Sequence, residues 1–277
     1  MGRLRGGENY LIKSCRENSR VIEMERAFGS YDLGSIRLKN RFVRSATHDY
    51  MGLSDGHVSE EEIEMYRELA KNEIGLIITG HAYVQHPFGR MRIGQNAIYS
   101  DEFIEGYKNI VSIVHRYNSK IVLQINHAGV AAIPESLEGN AAIAVSDAIT
   151  EKRIKILNRC EINEIINCFV NAAERAKKAG FDGVQLHAAH EYLIDQFFSE
   201  KYNRRTDEYG GSYEGRTRFL KEILSGIRKR VGDYPVFIKL NCNNPEVSQY
   251  INMAKHVISL CEKYSVSAIE VSGFDRL

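Results

Sequence analysis

His187, His190 and Tyr192 lie within the run FDGVQLHAAHEYLIDQFF that begins at Phe181, so two imidazoles and a phenol are delivered over six residues. All three side chains donate hydrogen bonds, and all three can give up a proton. The run opens with alternating character, Val184 and Leu186 against Gln185 and His187, which reads as a short strand. Successive strand side chains point to opposite faces, so His187 and His190 share a face only if the chain turns between them. Chemistry is expected at that strand-to-helix junction. Two structural histidines at a helix N-terminus and a packed aromatic are the plainer reading of the same residues.

Two more strands carry the same pattern. Gln124 and Asn126 oppose Leu123 and Ile125 in residues 120–127, and Lys239 and Asn241 oppose Ile238 and Leu240 in residues 236–241. In a barrel the apolar set packs outward on helices, leaving Gln124, His187 and Lys239 pointing inward near the carboxyl ends of their strands. Barrel active sites are assembled there.

The rest of the pattern supplies strands alternating with helices, which implies a mostly parallel α/β sheet. Residues 42–47 form the first strand, and Ser59 with Glu62 makes a capping box opening a helix through residue 73. The apolar run 75–84 suits a strand covered on both faces. Helices are predicted at 101–117, 161–178 (closed by Gly180), 213–231 and 246–264, with strands at 182–188 and 268–273. The stretch 129–158, rich in alanine and small polar residues, reads as a long loop over the barrel top.

Composition narrows the class. A net charge of +1 over 277 residues gives no reason to expect nucleic acid or a membrane surface as partner. No apolar run reaches the roughly 18 to 20 residues needed to span a bilayer. Cys15, Cys160, Cys168, Cys242 and Cys261 are scattered with no C-x-x-C pair, as for reduced thiols of a cytoplasmic protein, and no metal site is expected. Residues 1–26 are basic, lack a signal-peptide core and are expected to be a flexible extension before a barrel unit over 27–277.

The run HAAHEYLIDQF, followed by NRRTDEYGGS and a helix-opening ExR, resembles the signature of the old yellow enzyme family. The resemblance implies a TIM (β/α)8 barrel, FMN as cofactor and NADH or NADPH as reductant. It also implies hydride transfer from flavin N5 to an activated alkene, an enone or a related small-molecule acceptor, in ping-pong order. By the same resemblance His187 and His190 polarise the acceptor oxygen, and Tyr192 protonates the α carbon. Gln124 hydrogen-bonds the flavin pyrimidine, and Lys239 sits beside flavin N1 and the C2 oxygen. Ala46, Thr47 and His48 approach the isoalloxazine from the first strand, and Gly80 and His81 from the second. Three positions depart from the family pattern: Glu191 stands where glycine is usual, Val130 where arginine is frequent, and Gly215 where asparagine is usual. In the RRTDEYGGS segment, Asp207 is expected to pair with Arg205 or Arg216 to fix a loop, and Gly210-Gly211 to permit a tight turn.

About six βα units are legible where the fold has eight in about 250 residues. The two not seen are those that commonly build the phosphate site, so a barrel truncated at its C-terminal side is expected. Its two open edges would pair with a second copy or a complementing chain. Two further readings stay open on the sequence: a barrel fragment that cannot retain FMN, and an aldolase-like Schiff base at Lys239.

Overall fold

The computed structural model describes residues 25–149, 152–241 and 247–273. The alternation read in the sequence sets its architecture. After a helical turn at 25–28 come an antiparallel hairpin, β1 (Tyr31–Leu33) and β2 (Ile36–Leu38), and then the strands β3 (Val43–Arg44), β4 (Leu76–Ile78), β5 (Ala82–Tyr83) and β6 (Lys120–Asn126). Two short strands, β7 (Ala142–Ala144) and β8 (Ile154–Ile156), precede β9 (Gly183–Ala188), β10 (Val236–Asn241) and β11 (Ala268–Ser272). The helices are α1 (Glu60–Lys71), α2 (Ile104–Arg116), α3 (Arg159–Ala179), α4 (Leu193–Phe198), α5 (Tyr213–Val231) and α6 (Val247–Lys263).

The main sheet is parallel throughout, in the order β11, β10, β9, β6, β4, β3, with β5 pairing to β6. Parallel strands need crossovers, and the helices supply them on the outer face. Ile77, Ile121, Leu123, Ile125, Val184, Leu186, Ile238 and Leu240 are buried in one cluster with the apolar stripes of the helices. In α3 that stripe is Ile162, Ile165, Ile166, Phe169, Val170 and Ala173, the spacing of one helical face. Burying each such aliphatic side chain contributes roughly 1.5–3 kcal/mol. Among the described residues this is six strand positions of a TIM-type barrel joined by five crossover helices, with β3 and β11 as sheet edges.

On the inner face, Ile36 and Leu38 of the hairpin are buried against Leu76, Ile78, Val122 and Phe237, which lie toward the strands' N-terminal ends. The hairpin is therefore an apolar floor, and the polar inward residues begin one layer above it.

Several expected boundaries shift. The strand expected at 42–47 is regular only at Val43–Arg44, and the run 75–84 breaks at Thr79–His81 into β4 and β5. The break occurs at Gly80, where an added Cβ would lie 3.0 Å from Thr47 O, so the backbones pass too closely for a regular ladder. Ser59 caps α1 through Glu62 N, but the Glu62 carboxylate turns instead to Asn96 Nδ2 at 2.8 Å. The reciprocal capping box is at Asn158 and Glu161, opening α3. The predicted loop 129–158 contains the β7–β8 parallel pair and two short 3-10 turns. Nearly all of the predicted extension 1–26 lies outside the described residues, as do Cys15 and Cys242.

The RRTDEYGGS segment is an anchor. Arg205 pairs with both Asp207 oxygens at 2.9 and 2.6 Å and donates to Val145 O and Leu157 O, tying the β7–β8 ribbon to the loop before α5. Arg216 pairs with Glu200 instead of Asp207. Gly211 takes φ +68°, a conformation open to glycine. Gly215 has a role of its own, since a Cβ there would collide with Gly210 O. Arg205→Ala strands two buried carbonyls and Asp207 together, and should lower the unfolding free energy by about 2–4 kcal/mol in urea titration.

Candidate active site

What each inward residue meets across the sheet decides the character of the inner face. Register places Gln124 beside Gln185, His187 beside Lys239, Lys239 beside Glu270 and Asn241 beside Ser272. Buried polar groups at such positions must find partners, and they form a chain. Gln124 Nε2 donates to Gln185 Oε1 at 2.6 Å, and Gln185 Nε2 donates to Glu270 Oε2 at 2.8 Å. Glu270 Oε1 meets Lys239 Nζ at 3.0 Å, and Lys239 reaches Ser45 Oγ of the opposite edge at 3.2 Å. Ser45 Oγ also donates to Glu270. Burial alone would raise the Glu270 carboxyl, but its donors Ser45, Gln185 and Lys239 hold it below the ordinary range.

Above this chain lies a contiguous group of rings. His48 and His81 centroids are 4.2 Å apart, His81 and His187 5.6 Å, and His187 and His190 5.0 Å, while Tyr192 packs on both His81 (5.1 Å) and His187 (4.8 Å). Tyr192 Oη is 3.4 Å from His81 Nε2. His190 Nε2 is 2.9 Å from Ser272 Oγ. Burial, helped by the neighbouring histidines His48 and His190 and by Lys239, pushes His81 and His187 well below the usual histidine range, and burial lowers His48 to about 4. These imidazoles are neutral at physiological pH, so each presents one N–H donor. Burial raises the Tyr192 phenol to about 12, which keeps its proton in place until a strong base appears.

Of the residues singled out in the sequence, His48, His81, His187, His190 and Tyr192 converge in the ring group, and Gln124 and Lys239 in the polar chain beneath. Ala46 is half-buried against the floor cluster. Thr47 is exposed, its hydroxyl taken by the Arg44 guanidinium. Among the described residues no group of three or more His, Cys, Asp or Glu side chains is placed to hold a metal ion.

Glu270 and Asp195 were missed in the sequence. The signal for Glu270 was present: Glu270 and Ser272 alternate with Ile269 and Val271 on the last strand. Asp195 had none, because its role is set by the fold. Its Oδ2 accepts from Glu191 N and Asn241 Nδ2, both at 2.8 Å, and Asn241 Oδ1 accepts from His190 N at 3.1 Å. His190 and Glu191 take φ of 60° and 58°, the left-handed region that costs a non-glycine residue about 1–2 kcal/mol. The turn that brings His190 back beside His187 is thus held by one buried carboxylate.

Burial pushes the Asp195 carboxyl up to about 7. The folded state then binds this proton more tightly than the unfolded one, so stability from this group falls as pH rises from about 4 to 7. Asp195→Asn keeps an acceptor and removes the ionisation. Wild-type unfolding free energy should drop relative to Asp195→Asn by on the order of 3 kcal/mol across that interval, as read by denaturant titration at a series of pH values.

Comparison with known proteins bears on the same residues. Residues 27–276 match the model of the NADH:flavin oxidoreductase / NADH oxidase family. The chain is 36% identical over 253 residues to NADH oxidase of Thermoanaerobacter brockii, covering 89% of this chain and 39% of that protein. It is 34% identical over 247 residues to NADPH dehydrogenase of Clostridium acetobutylicum, covering 86% of this chain and 73% of the relative. Among solved structures it resembles Old Yellow Enzyme from Pichia sp. AKU4542, with a TM-score of 0.83, 30% identity, and coverage of 89% of this chain and 70% of that one. Morphinone reductase in complex with tetrahydroNAD gives a TM-score of 0.80 at 27% identity, covering 88% of this chain and 73% of that one. With the family model spanning nearly the whole chain and the inward polar face built as the fold requires, this chain belongs to the NADH:flavin oxidoreductase / NADH oxidase family.

Proposed function

We propose that this chain carries the ring-binding and acceptor-binding part of an FMN-dependent NAD(P)H oxidoreductase that reduces activated alkenes such as enones. The observation that carries the reading is a set of buried polar atoms with no hydrogen-bond partner at the strand tips: His187 Nδ1, Asn126 Oδ1 and both ring nitrogens of His48. Each such atom costs about 1–3 kcal/mol unless a partner arrives. A flat heteroaromatic ring edged with carbonyl and N–H groups is such a partner, so the donor set fits FMN. Gln124 and Lys239 would hold the ring, Lys239 as a cation fixed by Glu270. That fixed ion pair suits charge stabilisation better than the free amine a Schiff base needs.

When bound, FMN would supply the hydride relay between NADH or NADPH and the acceptor. His187 and His190 would donate to the acceptor's carbonyl or nitro oxygen and draw electron density from the conjugated double bond. Hydride arriving at the β carbon leaves an enolate, and Tyr192 Oη–H supplies the proton to the α carbon. Cys160, Cys168 and Cys261 are all free thiols, which supports a reducing, cytoplasmic setting. Val43 on β3 and Val271 on β11 are 49% and 66% exposed at the sheet edges. They favour a second reading, in which the site retains FMN only when further strands or another chain cover those edges.

Fluorescence titration with FMN separates the two readings. Tight quenching, weakened at least tenfold in Lys239→Ala, supports the enzyme; a colourless chain that leaves FMN fluorescence unchanged supports the fragment. With FMN bound, NADH or NADPH should bleach the yellow colour anaerobically and an enone restore it. Tyr192→Phe should slow the return about a hundredfold, far more than it slows the bleaching, in stopped-flow absorbance.

A further inference from the structure

Gln95 and His81 form a fixed pair behind Tyr192, and its atoms decide where the protons lie. Gln95 is fully buried. Its Oε1 accepts from Met91 N at 2.7 Å, and its Nε2 donates to the carbonyl oxygen of His81 at 3.0 Å. A backbone N–H can only donate and a backbone carbonyl can only accept, so the orientation of this amide is not free. The same Nε2 lies 2.8 Å from His81 Nδ1. An amide nitrogen brings only donors, so Nδ1 must receive, and the single proton of the neutral ring sits on Nε2. Asn126 Nδ2, 3.4 Å from the same Nδ1, is a second and longer donor to it. His81 Nε2–H faces Tyr192 Oη at 3.4 Å.

We infer that Gln95 locks His81 in the Nε2–H tautomer, so that His81 donates to the Tyr192 oxygen and leaves the phenol's own proton directed at the bound acceptor. The inference rests on the reading of Tyr192 as the acid. In the opposite tautomer the bare Nε2 would accept the phenol proton and hold it back from the α carbon. In the locked form the Oη–H bond breaks as the α-carbon C–H bond forms on the enolate's electron pair. The phenolate left behind is stabilised by His81 Nε2–H until water reprotonates it. That donor opposes the burial that makes Tyr192 a reluctant acid. His81 and Gln95 are positioning residues, and neither needs to touch the acceptor. A separation of 3.4 Å is long for a finished hydrogen bond and is of the kind that shortens when the ligand binds.

The lock is tested first on the chain alone by 15N spectroscopy of histidine-labelled protein, with the His81 signals assigned by their loss in His81→Gln. The expected result is a bare Nδ1 and a protonated Nε2; a proton on Nδ1 overturns the inference. The second measurement compares half-reactions in the FMN-loaded protein. His81→Leu should lower the ratio of acceptor-driven reoxidation to NADH-driven bleaching about tenfold. His81→Gln, whose amide places a donor near the original Nε2, should recover most of it. In a Tyr192→Phe background, His81→Leu should cost nothing further. Equal slowing of both half-reactions, no recovery in His81→Gln, or undiminished cost in Tyr192→Phe would each reject the positioning role. If Tyr192→Phe alone leaves reoxidation unchanged while the nitrogen spectrum shows the expected tautomer, the acid assignment has failed and the lock has not.

Discussion

A polar side chain buried inside a sheet must find a partner, and this constraint organises the inner face. Outward residues of β6, β9 and β10 are aliphatic and interchangeable in kind, held by helices and water exclusion. Inward ones above the hairpin are Gln124, Gln185, Lys239 and Glu270, and they are satisfied by one another across strands that are distant in sequence. Parallel register supplies that cross-strand adjacency, since it brings the same height of each strand side by side. Several of the buried atoms that remain without a partner, on His187, Asn126 and His48, lie at the strand tips, while others, such as Tyr107 Oη, lie elsewhere. Those at the strand tips are the ones the proposed ring would satisfy.

How much of this was legible varies with the range of the interaction. Strand faces follow from nearest-neighbour alternation, so Gln124, His187 and Lys239 were placed inward from the sequence, and β10 has the expected ends, 236–241. Helices α3 and α5 followed from local periodicity, with Gly180 marking the end of α3. Interactions set by three-dimensional approach were not legible. The break at Thr79–His81 depends on how near Thr47 passes to Gly80, and the partner of Arg216 depends on where Glu200 arrives. Gln95 has no strand or helix pattern around it, and only its meeting with Met91 N and His81 gives it meaning. Asp195 is likewise an unremarkable helix residue until Asn241 of another strand is seen beside it.

The strained turn at His190 and Glu191 shows where the fold spends stability on geometry. Two consecutive left-handed residues with side chains are costly, and the network that holds them, Asp195 with Asn241 below and Lys201 on Glu191 above, is assembled from three separate elements. Such a turn keeps two imidazoles at adjacent heights on one side of the sheet, which straight strand geometry could not do.

The hairpin beneath the sheet has one more consequence. Because Ile36 and Leu38 fill the lower end with apolar packing, the cluster of rings is sealed from below. Any reactant of the proposed chemistry would have to come in above that floor or across the edges at β3 and β11, so a few aliphatic side chains far from the reacting atoms set which directions of approach remain.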